Sequence, residues 1–178
     1  MKWLNEPARW AQAGDELNVT ADAATDFWRV TGNGNIRDSG HVYGDMLAGE
    51  FDLSMRFHGS YREQYDQAGA MVRVDERHWI KTGVEYLDGR PRFSVVVTME
   101  NSNWTFAELP NDLNELNLLL SRRGDAIEVR YAIEDRELEL AAVLYLPPDE
   151  RVMAGAMCAA PQGSGFQVTF NNLKITNP

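Results

Sequence analysis

A single cysteine, Cys158, rules out an intrachain disulfide. It lies in the apolar stretch Met153–Ala160, with no basic residue within six positions on either side. It therefore reads as a small buried hydrophobe rather than a reactive thiol. Histidines number only three, and no His-x-His, Cys-x-x-Cys, His-Glu-x-x-His or Asp-x-Asp-x-Asp-Gly spacing occurs, so no metal motif is present. A calcium site built from scattered loop oxygens stays open. The chain also lacks a P-loop, a Gly-x-Gly-x-x-Gly turn between strand and helix, and a Gly-x-Ser-x-Gly elbow. No cofactor is expected. Positive charge is scarce: 17 Lys and Arg against 27 Asp and Glu leave a net charge of −10. A field of that sign repels phosphate backbones and anionic bilayers, which argues against nucleic acid and membrane as partners. No run reaches the ~18 apolar residues of a spanning helix. The segment Met1–Trp10 has no apolar centre, so no signal peptide is expected, and the cytoplasm is the expected location.

What the chain has in abundance is alternation. Phe51, Leu53, Met55 and Phe57 alternate with Asp52, Ser54, Arg56 and His58. Ile127, Val129, Tyr131 and Ile133 form a second such series, and Phe166, Val168 and Phe170 a third. A period of two marks strands with one face on a core. Further strands are expected over 16–21, 27–31, 68–74, 79–86, 92–98, 116–121, 138–145 and 153–160. Between them stand the turn signals Gly32-Asn-Gly-Asn35, Asp75-Glu-Arg77, Asp88-Gly-Arg-Pro91, Arg123-Gly-Asp125, Pro147-Pro-Asp149 and Gly163-Ser-Gly165. Asp88-Gly89 is the strongest hairpin signal. Residues 111–120 admit a helical turn running into a strand, and their length favours the strand. About a dozen strands with short connections predict an all-β, antiparallel two-sheet sandwich. At 178 residues it forms one domain and buries ~70% of its unfolded surface.

Several blocks go beyond generic patterning. The stretch Tyr65–Tyr86 contains Asp66-Gln-Ala-Gly69 and Trp79-Ile-Lys-Thr-Gly-Val-Glu85. With Thr25-Asp-Phe-Trp28, Asp38-Ser-Gly-His41, Ser94-Val-Val-Val-Thr98 and Ala159-Ala-Pro161, it resembles a family of unknown function that includes the fungal "regulation of enolase" proteins. The resemblance runs from about Trp10 to Ile175. It implies a jelly-roll sandwich of the concanavalin A-like type with a concave face, and no assigned activity. The chain departs from the family pattern at Ser102-Asn-Trp-Thr105, where a carboxylate beside Trp104 is lost, and at Glu134-Asp-Arg-Glu137.

Strand alternation sorts these blocks into two sides. Ala68, Ala70, Val72, Ile80 and Val84 form the core side. Gln67, Arg73, Trp79, Lys81 and Glu85 share the outer face, where Arg73, Lys81 and Glu85 are expected to interact across strands. Aromatic platforms beside convergent polar groups are what small-ligand sites are made of. The residues expected to bind a saccharide or another polar small molecule are Trp28, His41, Asp66, Gln67, Arg73, Trp79, Lys81, Glu85 and Trp104. The chemical alternative is a glycosidase or lyase with Glu85 as acid or base and Lys81 or His41 as further candidates. Glycoside hydrolysis needs two carboxylates, ~5–5.5 Å apart for retention or ~6.5–9.5 Å for inversion, and Asp66 or Asp26 can join Glu85 only through the fold. His58 and His78 are expected beside turns, in solvent. A regulatory protein-interaction role, and a homodimer through unpaired sheet edges, complete the expectations.

Overall fold

The computed structural model describes residues 1–148 and 150–178. Among them are sixteen strands and no helix. In chain order they are β1 (Lys2–Leu4), β2 (Arg9–Ala13), β3 (Glu16–Ala21), β4 (Phe27–Arg29), β5 (Ile36–Asp38), β6 (His41–Leu47), β7 (Phe51–Gly59) and β8 (Gln67–Arg73). There follow β9 (His78–Leu87), β10 (Arg90–Met99), β11 (Asn101–Glu108), β12 (Leu116–Arg123), β13 (Ala126–Ile133), β14 (Glu139–Tyr145), β15 (Val152–Ala159) and β16 (Phe166–Thr176). Residues 111–112 form a turn, not a helix, before β12. Of the turn expected at Pro147-Pro-Asp149, Asp149 lies outside the described residues.

Two seven-stranded antiparallel sheets face each other. The front sheet runs β1-β6-β15-β8-β9-β10-β11, and the back sheet β14-β13-β12-β7-β16-β3-β2. Consecutive hairpins (β8 to β11, β12 to β14, β2 with β3) are joined by non-consecutive neighbours (β1-β6-β15-β8 and β12-β7-β16-β3), as in a jelly roll rather than a simple meander. The alternating apolar residues meet between the sheets. Leu53, Met55, Phe57, Leu118, Val129, Val168 and Phe170 from the back pack against Ala68, Ala70, Val72, Ile80 and Val84 from the front. Burying each Leu, Ile, Val, Met or Phe among them contributes ~1.5–3 kcal/mol. The hairpin at Asp88-Gly89 has φ of 52° and 76° at its two central residues, with Leu87 paired to Arg90. That is the left-handed pair a two-residue type I′ turn requires, and it suits Asp-Gly.

One layer was not legible in the alternation. The hairpin β4–β5 folds back over the outer face of the front sheet instead of joining it. It presses Phe27 onto Trp79, with ring centroids 6.1 Å apart. Phe27, Val42, Met71, Trp79, Val96 and Met157 close into a second apolar cluster. The front sheet is therefore buried on both faces through β8 and β9. The back sheet stays open outside, and its edge strand β14 exposes Leu140, Val143 and Tyr145.

Candidate functional site

Antiparallel register arranges the outer face of the front sheet as a grid. Across β8, β9 and β10 run the rows Gln67–Glu85–Arg92, Gly69–Gly83–Ser94, Met71–Lys81–Val96 and Arg73–Trp79–Thr98. On β11, Trp104 stands beside Val96 and Phe106 beside Ser94. The rows Met71–Val96 and Arg73–Thr98 lie under the hairpin. At its margin Lys81 and Glu85 form the floor of a cleft.

The middle row of glycines decides the chemistry of that floor. A Cβ on Gly69 would lie 2.1 Å from the Thr82 carbonyl oxygen, and one on Gly83 2.2 Å from that of Ala68. Their φ values of 158° and 150° are also ones that L side chains rarely adopt. With no side chain between the rows, Gln67 and Lys81 reach each other diagonally. The Lys81 ammonium donates to Gln67 Oε1 and, at 2.8 Å, to the backbone oxygen of Phe27. It also lies 5.9 Å from the Trp79 ring centroid and 3.8 Å from Asp26 Oδ1. Gln67 in turn donates to Asp26 Oδ1 and to the Tyr65 carbonyl.

On the other diagonal, Ser94 Oγ donates to Glu85 Oε2 at 2.8 Å, and the Trp104 indole N–H donates to Ser94 Oγ at 2.9 Å. Glu85 is 6% exposed. Burial pushes its carboxyl above the ordinary glutamate value; the Lys81 ammonium and the Ser94 hydrogen bond pull it down, and Asp26 adds to the rise.

Over this floor stands a cleft of about 520 Å³. Trp28 and Trp104 meet edge to face, at 83° with centroids 6.4 Å apart, and Tyr65 also stands edge to face with Trp104, at 70° and 6.3 Å. The Trp28 indole is fixed by donating to the Thr31 carbonyl at 2.8 Å. Lys81, Glu85 and Asp26 line the bottom, and Asn33, Asn35 and Arg37 of the hairpin line the mouth.

Four of the nine expected residues thus come together around the cleft: Trp28, Lys81, Glu85 and Trp104. Gln67 supports Lys81 from beneath. The other four are placed elsewhere. Trp79, 1% exposed, is the centre of the second cluster and offers no ring face to a ligand. Arg73 does not meet Lys81 or Glu85. It forms a two-pronged pair with Asp38, both contacts at 2.8 Å, which fastens the end of β5. Asp66 points away from Gln67 by alternation and accepts from the Arg62 and Glu63 N–H groups in the turn before β8. His41 is buried at the sheet margin. Its Nδ1 donates to the Asn5 carbonyl and its Nε2 accepts from the Asp22 N–H, which fixes the neutral tautomer and occupies both nitrogens. That geometry makes it a structural tie rather than a base. Of the remaining histidines, His58 is exposed within β7, and His78 opens β9 with its Nδ1 against the Asp75 carboxylate.

Sequence reasoning missed Tyr65 and Ser94 as site residues and gave Asp26 only as a partner for Glu85. Ser94 carried a signal. It is a hydroxyl at an outward position of β10, directly across from Gly83. Among the described residues, no group of three His, Cys, Asp or Glu side chains is placed to hold a metal ion.

Fold and cleft together define a two-sheet β-sandwich of the concanavalin A-like type with one aromatic-walled cleft outside its front sheet. The chain belongs to the family described as a protein of unknown function (DUF1349), whose model matches residues 3–178. It is 33% identical over 176 residues to "Regulation of enolase protein 1" of Saccharomyces cerevisiae, which covers 99% of this chain and 89% of that protein. A solved structure of a functionally unknown protein from Saccharomyces cerevisiae superposes with a TM-score of 0.94 at 33% identity, over 99% of this chain and 96% of that one. The carbohydrate binding module CBM66 from Bacillus subtilis superposes with a TM-score of 0.62 at 13% identity, over 98% and 95%. The GH43 protein BlXynB of Bacillus licheniformis, as its K247S mutant, gives 0.71 at 12%, over 97% of this chain and 36% of that one. At those identities the last two speak for the fold alone.

Proposed function

We propose that the chain is a binding module whose cleft takes a saccharide or a related polar metabolite. The observation that carries this reading is the corner of Trp28 and Trp104 above a buried Glu85. Both indole N–H groups are satisfied within the protein. What the two rings offer a ligand is therefore apolar surface, suited to the faces of a sugar ring. Hydrogen bonding falls to the floor and the mouth, where Glu85, Asp26, Asn33 and Asn35 can meet hydroxyls. A cleft of about 520 Å³ lies within the ~300–1,000 Å³ usual for small-ligand sites. A carbohydrate binding module shares the fold, which makes the reading economical without carrying it.

Isothermal titration against a panel of neutral mono- and oligosaccharides tests the proposal. At least one member should bind, and Trp28→Ala and Trp104→Ala should each weaken it roughly tenfold or more, the cost of losing one stacked aromatic. No binding by any member, or binding indifferent to both substitutions, overturns it.

A second reading is acid catalysis in the same cleft. It is favoured by one observation: Glu85 has a carboxyl raised by burial and a second carboxylate, Asp26, across Lys81. Hydrolysis of aryl glycosides by the wild-type chain, abolished in Glu85→Gln, would establish it.

A further inference from the structure

The hydrogen bonds beneath the aromatic corner form a directed relay. Ser94 has one proton to give and gives it to Glu85 Oε2; its lone pair accepts the Trp104 indole proton. Glu85 Oε2 is thereby an acceptor, so a proton taken up by the carboxyl goes to Oε1. Oε1 has no hydrogen-bond partner, yet it is absent from the fully enclosed unpartnered atoms, and Glu85 lines the cleft. Oε1 is therefore the oxygen that opens into the cleft.

We propose that Ser94 is the positioning residue of this cleft, coupling the ionisation of Glu85 to the setting of the Trp104 wall. With Glu85 ionised, the Ser94–Glu85 bond is charge-assisted and strong, and the polarised hydroxyl becomes a better acceptor for the indole. With Glu85 protonated on Oε1, that bond is neutral and roughly half as strong, and the hold on Trp104 slackens. The wall is tight when the floor is charged and loose when it is not.

Other charged groups around Glu85 have partners of their own, save the buried Arg92 Nε, which has none. Lys81, on the same strand, is held by Phe27 and Gln67; Asp26 accepts from Phe27 N–H and Gln67. Arg92, beside Glu85 on β10, donates to Glu108 at 2.7 Å. Tyr65 is the remaining titratable group at this end of the cleft. None of them touches the Trp104 N–H, so Ser94 is the route by which charge reaches it. The consequence for ligands rests on the reading that the cleft binds a small molecule: stacking on Trp104 strengthens as Glu85 ionises.

The relay is tested without a ligand. The Trp104 indole resonance, assigned by its loss in Trp104→Phe, is followed by NMR against pH together with the Glu85 carboxyl carbon. In the wild-type chain both should move with one midpoint. In Ser94→Ala the indole should cease to follow and the Glu85 midpoint should rise; Ser94→Thr, which keeps the hydroxyl, should restore both. Should Ser94→Ala fail to fold, Glu85→Gln serves instead, and there the indole should be flat with pH across that range. A wild-type indole that ignores the Glu85 titration, or one that still follows it in Ser94→Ala, overturns the relay. Failure of every saccharide to bind would overturn the binding reading and leave the relay standing.

Discussion

The ammonium of Lys81 and the carbonyl of Phe27, 54 positions apart, meet at 2.8 Å. This contact fastens the hairpin that carries Trp28 to the strand that carries Glu85. Lys81 is 3% exposed, and its charge is held by oxygens of three residues: Phe27, Gln67 and, at 3.8 Å, Asp26.

Lys81→Met keeps the stem and removes the charge. It leaves two buried oxygens without their donor and Asp26 without its cation. Breaking a buried charged network on one side costs roughly 3–5 kcal/mol, and urea unfolding should show a loss of that order. The Glu85 carboxyl, which Lys81 pulls down, should rise further in the same variant. A loss well under 1 kcal/mol would mean the hairpin is held mainly by Phe27 and by the Arg73–Asp38 pair.

Gly83→Ala tests the bare row between the diagonals. The added methyl would meet the Ala68 carbonyl at 2.2 Å, on a backbone with φ of 150°. Strain of this kind costs of order 1–3 kcal/mol, and spreading β8 from β9 would also part Gln67 from Lys81. Thermal unfolding should show a clear fall in Tm. Gly49→Ala makes the control, since its Cβ would meet nothing within 4 Å and a positive φ alone is at stake.

The raised Glu85 carboxyl has a pH consequence of definite sign. The folded state holds this proton more tightly than the unfolded chain does. Its share of stability is therefore present below the usual glutamate range and is lost as pH rises through the folded value. Asp52 and Asp75, where burial is outweighed by hydrogen bonds and nearby positive charge together so that both are lowered, contribute with the opposite sign, so total stability is not diagnostic. The difference between Glu85→Gln and wild type is. The variant should gain on the wild type as pH rises from the acid side, measured by denaturant unfolding at a series of pH values. A difference independent of pH would contradict the shift.

Cys158 is 1% exposed, and burial with Asp22 nearby raises its thiol far above the ordinary value. A thiolate is the reactive form. An aromatic disulfide reagent should therefore label the native chain only at the rate of its opening, and label it at once in denaturant. Rapid labelling of the folded chain would place Cys158 outside the core.

How much of this was legible beforehand differs from strand to strand. Strands with one wet face, such as β7 and β13, announced themselves by alternation. β6 did not, because its His41, Val42 and Gly44 are all buried and the period is lost. β11 is an edge strand, mostly exposed, so its pattern carries no contrast. The short β1, β2 and β5 are held by pairing rather than by any apolar series of their own.

The sequence by itself determined the sandwich and the side each residue of β8 and β9 takes. Alternation is a property of the strand, and Ala68, Ala70, Val72, Ile80 and Val84 face the core because a pleat allows nothing else. What lies on the other side was settled only by tertiary structure. There the β4–β5 hairpin returns across the sheet, turns Trp79 into core, claims Arg73 for Asp38, and leaves Lys81, Glu85 and Trp104 at its margin. His41 is spoken for by Asn5 and Asp22, 36 and 19 positions away. A local period tells a side chain's direction. Which distant segment comes to meet it depends on contacts that close across the whole chain.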